Sequence, residues 1–457
     1  MTKTNTEEKR GLFTSLYKFS IEPETERIVF TDTRSVSAVS GRTIWLSQVT
    51  ADMPVYMDYD KGDHTAYIHC KSGLFEFTPS PAGLFSHLAR VNSIEGLERF
   101  DTSNVKDLSE MFYDCRSLEK LDLSGWNTSS VTDLRGCFER CESLKSVDLT
   151  GWNTGSVIDM GFLFAGCRSL TSVNVENLDT SKAIYLQHAF AFCKSLTELN
   201  VKAWDVSSVV DISCLFAGCS ALKTLDLSGW NTRSVNDATG IFQSCTSLKE
   251  LDVANWHTEN ITIMKDLFNG CRSLEKLDLS SWDTRNLRNI RSIFWGCDSL
   301  KETGTRHWNT RLVSDMGYAF CGCGSLPDTS ECAWWNTENT IDMKYMFSDC
   351  KGLKEASLPG FDTGSTWDMS CMFSGCRSLE RVALPSASTS KSPYADGIFN
   401  GCDSLNEVIL PRHPLTARSL KAAAKETIGL NKRESTKSFK AKKNKKKPKE
   451  QPGSAPR

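Results

Sequence analysis

The chain has 457 residues, of which 39% are hydrophobic, with 54 Lys and Arg against 56 Asp and Glu. No apolar run approaches the 18 residues of a membrane-spanning helix, so that class is excluded. The net charge of −2 conceals an asymmetry: from Arg412 onward 15 Lys and Arg face 3 Asp and Glu, a balance of +12, which leaves −14 on the rest.

The first residues, Met1 to Arg10, are polar and lead into no apolar core, so no signal peptide is expected. The C-terminus shows no apolar tail or lipidation motif. Residues 1–25 read as a disordered N-terminus. Residues 26–91 carry short β-like runs (Ile28 to Phe30, Thr43 to Leu46, Val55 to Met57, Thr65 to Ile68, Leu74 to Thr78), with a hairpin-like break at Asp60 to Asp63. They are expected to form a β-rich N-terminal cap and lead-in.

Residues 92–411 repeat about every 26 residues. A cysteine recurs at Cys115, Cys141, Cys167, Cys193, Cys219, Cys245, Cys271, Cys297 and Cys323, and after one inserted residue at Cys350, Cys376 and Cys402. A period of this length signals a coil of stacked units, since one unit cannot bury its apolar face alone. Within a repeat, Met160, Leu163, Phe164 and Cys167 fall at i, i+3, i+4 and i+7, which predicts a short helix. Asp107, Asp133, Asp159, Asp211, Asp237, Asp315, Asp342 and Asp368 stand where its N-cap belongs. Leu118, Leu121 and Leu123 then alternate as in a half-buried strand. The predicted fold is α/β: a leucine-rich-repeat-like solenoid of about twelve strand-plus-short-helix repeats with an N-terminal β cap. Residues 412–430 are expected to form a C-terminal capping helix, and 431–457 a disordered Lys-rich tail with eight lysines between Lys437 and Lys449.

With one cysteine per repeat at a fixed place in an apolar pattern, the column reads as buried free thiols, because in-register parallel side chains lack the convergence a disulfide needs. Trp126, Trp152, Trp204, Trp230, Trp256, Trp282, Trp308 and Trp335 form a second column. It reads as a buried aromatic stack, with an exposed platform for sugars or proteins as the alternative.

These repeats resemble the BspA-like leucine-rich-repeat surface proteins of bacteria, whose repeat runs roughly F-x-x-C-x-x-L-x-x-L-D-L-S-x-[FW]-[DN]-T-S-x-V-x-D-M-x-x-M-F. Residues 100–112 and 342–347 match that pattern closely, and the similarity covers about residues 80–411. The resemblance implies cell-surface proteins that adhere to host or bacterial partners without catalysis. The missing signal and wall anchor make a cytoplasmic location the alternative.

The candidate partner-binding face is the outward side of the strands: Glu119, Lys120, Lys223, Lys249, Glu250, Glu275, Lys276, Lys301, Glu302, Lys354 and Glu355. Asp122, Asp148, Asn174, Asn200, Asp226, Asp252 and Asp278 face the same way, either as a cation stripe or as a solvated ladder balanced by lysines. Lys442, Lys443, Lys445, Lys446 and Lys447 are candidates for polyanion contact. Cys137/Cys141, Cys214/Cys219, Cys321/Cys323 and Cys371/Cys376 are paired in sequence, but no histidine recurs beside them, so no metal site is expected. No nucleophile elbow and no phosphate loop is present, so neither an enzyme nor a cofactor is expected. The function expected is adhesion or protein-partner binding by a non-enzymatic scaffold. The alternative is an intracellular protein whose tail engages nucleic acid or anionic membrane while the repeats recruit a partner.

Overall fold

The computed structural model describes residues 21–32, 42–44, 49–50, 55–70, 75–384, 394–410 and 420–432, with the backbone alone at 42–44 and 49–50. Near the N-terminus lie β1 (Arg27–Thr31), β2 (Arg42–Ile44), β3 (Val49–Thr50), β4 (Val55–Asp60), β5 (Thr65–His69), β6 (Phe75–Phe77), β7 (Ser93–Glu95) and β8 (Phe100–Asp101). One sheet has the order β2-β4-β5-β1-β7 and a second the order β3-β6-β8. Both run on into the repeats. Ser93 of β7 bridges Lys120 in the next coil, and Phe77 of β6 meets Trp126 of the first tryptophan coil edge-on at 5.6 Å. Aromatic packing seals this end: Phe77 stacks on Phe100 at 4.2 Å, and Phe30 meets Phe100 edge-on at 4.8 Å.

The repeats form a leucine-rich-repeat-like stack of coils joined by parallel pairing. Ser146–Asp148 pairs with Ser172–Asn174, Thr224–Asp226 with Glu250–Asp252, and Glu355–Ser357 with Arg381–Ala383 and then Glu407–Ile409. Like residues therefore stack on like. Phe112, Phe138 and Phe164 lie ring on ring at 5.6 and 5.1 Å. The tryptophan column is buried: Trp256, Trp282, Trp308 and Trp335 stack in sequence at 5.9, 6.1 and 6.0 Å with nearly parallel rings. Most of its indoles donate to a carbonyl of the preceding coil, as Trp230 Nε1–H does to Val201 (2.9 Å). Threonines link coils from within: Thr128 Oγ1 accepts the Asn153 N–H at 2.8 Å and donates to the Asn153 carbonyl at 3.0 Å.

The short helix expected in each repeat does not form in the described coils. Over residues 107–115 the chain makes successive turns instead. Met111, Tyr113 and Cys115 donate to the carbonyls three residues back, while Leu108, Glu110, Phe112 and Asp114 donate to Asp133, Arg135, Cys137 and Glu139 of the next coil at 2.8–2.9 Å. A helix would close those bonds within one coil and leave none for stacking. The turns require left-handed backbone twice per coil, at Glu110 (φ 55°) and Asp114 (φ 60°), and glycine fills the second place at Gly166, Gly218, Gly270, Gly296 and Gly322. The aspartates expected as helix caps still accept an N–H, but two residues on: Asp133 Oδ1 from Arg135 at 2.9 Å and Asp342 Oδ1 from Lys344 at 2.9 Å.

The coil holding the inserted residue, near Glu331, and the coil before it depart from the pattern. Thr303 and Thr305 occupy leucine positions, and the Glu331 carboxylate accepts the Thr305 N–H (3.0 Å) and the Thr303 hydroxyl (3.1 Å). At the far end, helix α1 (residues 420–432) buries Leu420 and Ala424 against the stack. Its Asn431 Nδ2 donates to the Cys402 and Leu405 carbonyls, each at 3.0 Å. No helix among the described residues is long and apolar enough to cross a membrane.

Candidate partner-binding face

The eleven residues singled out on the outward strand side are all exposed, in two adjacent columns. Parallel register brings many of them into contact across coils. Glu119 pairs with Lys145 at 3.1 Å, Glu275 with Lys301 at 3.0 Å, Lys276 with Glu302 at 2.9 Å, and Glu355 with Arg381 at 2.7 Å. Arg381 also reaches Glu407 at 3.0 Å. These contacts hold Glu275 below the usual carboxylate range and Lys276 above the usual lysine range, chiefly through the paired hydrogen bond. Such exposed pairs contribute little to stability. They do fix the side chains into a patterned surface. Lys223 and Lys249 stand on consecutive coils, tied by the Lys249 N–H to Lys223 carbonyl bond of 2.9 Å, with Lys120 and Lys354 on other coils of the same face.

The aspartates of this face are held by their own coils. Asp122, Asp148, Asp226 and Asp278 each accept the N–H and hydroxyl of the residue two further on. Those bonds lower their pKa values. Asp226 falls furthest, to about 2, because the Lys202 ammonium sits 2.8 Å away. Among the described residues no group of three or more His, Cys, Asp or Glu converges as metal ligands. The depressions on this face are open and of mixed polarity. One of about 370 Å³, lined by residues 172–176 and 198–200 with Thr224 and Asp226, is crossed by the Asn200 to Glu176 bond of 2.8 Å. The shape suits broad contact better than enclosure of a small molecule.

The repeat cysteines carry no disulfide, and each thiol donates to a backbone carbonyl of the preceding coil, from Cys115 to Phe85 through Cys402 to Phe373. Burial pushes the Cys115 and Cys219 thiols up to about 12. Cys214 and Cys371 are only half-buried. A second acidic column, Asp107, Asp133 and Asp159, runs along the start of the turn segment, bridged coil to coil. Desolvation, with the like charges on either side, lifts Asp133 to about 6.

The aromatic surface lies elsewhere than the tryptophan column suggested. Trp334 is 69% exposed, Trp367 and Tyr394 57% each, and Trp295 44%. These rings are single departures from the repeat consensus, so a search for recurring positions passes over them. The tail lysines Lys442, Lys443, Lys445, Lys446 and Lys447 lie outside the described residues.

The family described as "Mycoplasma protein of unknown function, DUF285" matches residues 81–199, 184–307 and 299–411, well over half of the chain. The chain belongs to the DUF285 family. No curated protein sequence matches it. Among solved structures, a leucine rich cell surface protein from Faecalibacterium prausnitzii A2-165 is 17% identical, covering 82% of this chain and 97% of its own, with a TM-score of 0.35. A leucine-rich-repeat protein of Leptospira interrogans is 14% identical over 71% of this chain and 73% of its own, at 0.25. The TLR13–ssRNA13 complex matches at 16% identity over 70% of this chain and 53% of its own, at 0.26. TM-scores this low leave the DUF285 match to carry the assignment. That match spans the repeats and stops short of the Lys-rich tail.

Proposed function

We propose that this DUF285 chain is a non-enzymatic scaffold of the BspA-like type, a capped solenoid of about twelve repeats that binds a protein partner at the cell surface. The observation that supports this reading most is the outward strand face. Its charged columns are carried on stiff, hydrogen-bonded rungs, so a partner meets a surface that needs little ordering on binding. Charge reversal at Lys249 and Glu250, where Lys249 is anchored beside Lys223, is the direct test. Binding to intact bacterial or host cells that survives both reversals argues against this face. Protease treatment of intact producing cells tests location: selective loss of the chain supports surface display, and protection until lysis removes it.

The balance of +12 from Arg412 onward favours one other reading. There the tail engages nucleic acid or anionic membrane inside the cell while the repeats recruit a protein. Binding to such polyanions would fall steeply with salt and vanish on deletion of 431–457. Binding that ignores both changes leaves only the strand face.

A further inference from the structure

Two consecutive coils near the C-terminal end carry large apolar side chains at one surface position, where other coils have Lys106, Thr132, Asn236 or Ser314 and three have the aliphatic Ile158, Ile184 and Val210; here the position gains an aromatic ring, and the next coil adds a second ring beside it. The strip is made of Ile341 (54% exposed), Trp367 and Tyr394, one rung apart: the Trp367 N–H donates to the Ile341 carbonyl at 2.8 Å and the Tyr394 N–H to the Trp367 carbonyl at 2.9 Å. The Trp367 and Tyr394 rings meet edge-on at 5.8 Å. Carboxylates line this strip. Asp342 already holds Arg291 (3.2 Å) and Lys344 (3.3 Å), whereas Asp368 and Asp396 have no paired cation among the described residues. Exposed aromatic faces beside carboxylates with no paired cation suit alkylammonium groups, which gain both cation–π attraction and methylene packing.

We propose that the lysine-rich segment 437–449 of the same chain docks on the Ile341–Trp367–Tyr394 strip, with its ammonium groups over the rings and against Asp368 and Asp396. The segment has eight lysines and no acidic residue. It is also within reach. Asn431 is fastened to the Cys402 carbonyl, and Tyr394 lies eight residues before Cys402, at most ~29 Å away even for extended chain. The nine residues from Asn431 to Lys440 extend up to ~32 Å, so Lys440 and the lysines beyond it can meet the strip. Docking there would withhold the tail from other anionic partners until salt or a stronger polyanion releases it.

Hydroxyl-radical footprinting of the full chain tests this, comparing it with a variant bearing Lys→Ser at all eight lysines, a change outside the packed coils. Oxidation of Trp367 and Tyr394 should rise about threefold in the variant, with Tyr185 as an unmoved control at the Tyr394 position eight coils earlier. High salt should produce the same rise in the unaltered chain. Equal rates at Trp367 and Tyr394 in the two chains overturn the proposal, as does an equal rise at Tyr185. Carbodiimide coupling supplies a second readout. Links from 437–449 to Asp368 or Asp396 within monomers support docking. Links found only in dimers assign the strip to a second copy's tail, and links scattered over the acidic surface deny a site; either result overturns it.

Discussion

The Cys141 thiol donates to the Phe112 carbonyl of the preceding coil across 3.2 Å, and that same carbonyl accepts the Cys115 N–H of its own coil at 3.3 Å. One buried oxygen is thus satisfied from two coils. The site needs a side chain small enough for the core and still able to donate, and cysteine meets both needs. This accounts for the regularity of the column without any redox role.

Thiol reactivity follows from it. At pH 7.5 the column thiols, buried and with raised pKa values, should resist maleimide in the folded chain. Cys214 and Cys371 should label first. Even Cys214 should be slow, because desolvation and nearby aspartates push it up to about 11. Peptide-mapped labelling is the measurement. Column cysteines labelled as fast as Cys214 would mean that the coils open readily.

Asp133 should cost stability at neutral pH. Its folded pKa, about 6, lies above the ordinary 3.8, so the ionised form is disfavoured in the fold and stability rises as pH falls through 6 towards 3.8. Asp107 and Asp159 flank it on adjacent coils, and the Arg135 guanidinium, which opposes the shift only weakly, lies 3.9 Å from Asp159. Asp133→Asn keeps the acceptor for the Arg135 N–H, as Asn289 does for Arg291 at 2.9 Å in its own coil. The variant should gain about 1 kcal/mol at pH 7.5, less than the full shift implies because the carboxylate is partly solvated, and nothing below pH 4. Denaturant melts at the two pH values check this. A gain independent of pH would place the effect elsewhere.

The left-handed column makes a backbone prediction. Ser244 (φ 60°) occupies the place that Gly218 and Gly270 fill on either side. Ser244→Gly should stabilise by roughly 0.5–1 kcal/mol through relief of that conformation, less the entropy glycine adds to the unfolded chain. Gly270→Val, at φ 75°, should lose about 2 kcal/mol or more. Thermal melts of the pair should move in opposite directions. Parallel movement would mean that side-chain contacts outweigh the backbone here.

Much of this architecture was legible from the period alone, because in-register stacking makes Trp126 or Cys141 a statement about every coil. The helix was misread for a physical reason. Leu108, Met111, Phe112 and Cys115 point inward in successive turns with the same i, i+3, i+4, i+7 spacing a helix gives, so periodicity cannot separate the two. The discriminating signal was glycine before the cysteine at Gly166, Gly218, Gly270, Gly296, Gly322, Gly375 and Gly401, since a helix interior disfavours it and a left-handed turn selects it. The charges of the strand face were readable as outward. Their pairing, such as Lys276 with Glu302, was not, because it depends on neighbouring coils meeting in register. Trp334, Trp367 and Tyr394 were hidden by being exceptions.

Asn431→Ala should loosen one end of the stack and leave the rest unchanged. In interior coils the carbonyl of the repeat cysteine accepts an N–H of its own coil, as Cys376 does from Leu379 at 3.1 Å. At the last coil, Cys402 and Leu405 have the Asn431 amide, at 3.0 Å each. The Cys402 carbonyl also accepts the Leu405 N–H at 3.1 Å, so removing the amide leaves chiefly the Leu405 carbonyl to find water or stay unbonded, a loss of about 1 kcal/mol. Repeat stacks transmit such losses mainly to the nearest neighbour. Hydrogen exchange should therefore quicken over Glu407–Ile409 and in α1, fade by Arg381–Ala383, and stay unaltered over Ser146–Asp148. Equal quickening at Ser146–Asp148 would mean that the stack unfolds as one cooperative body and that the amide is no local fastening. No change at Glu407–Ile409 would mean that the buried Leu420 and Ala424 hold α1 in place without it.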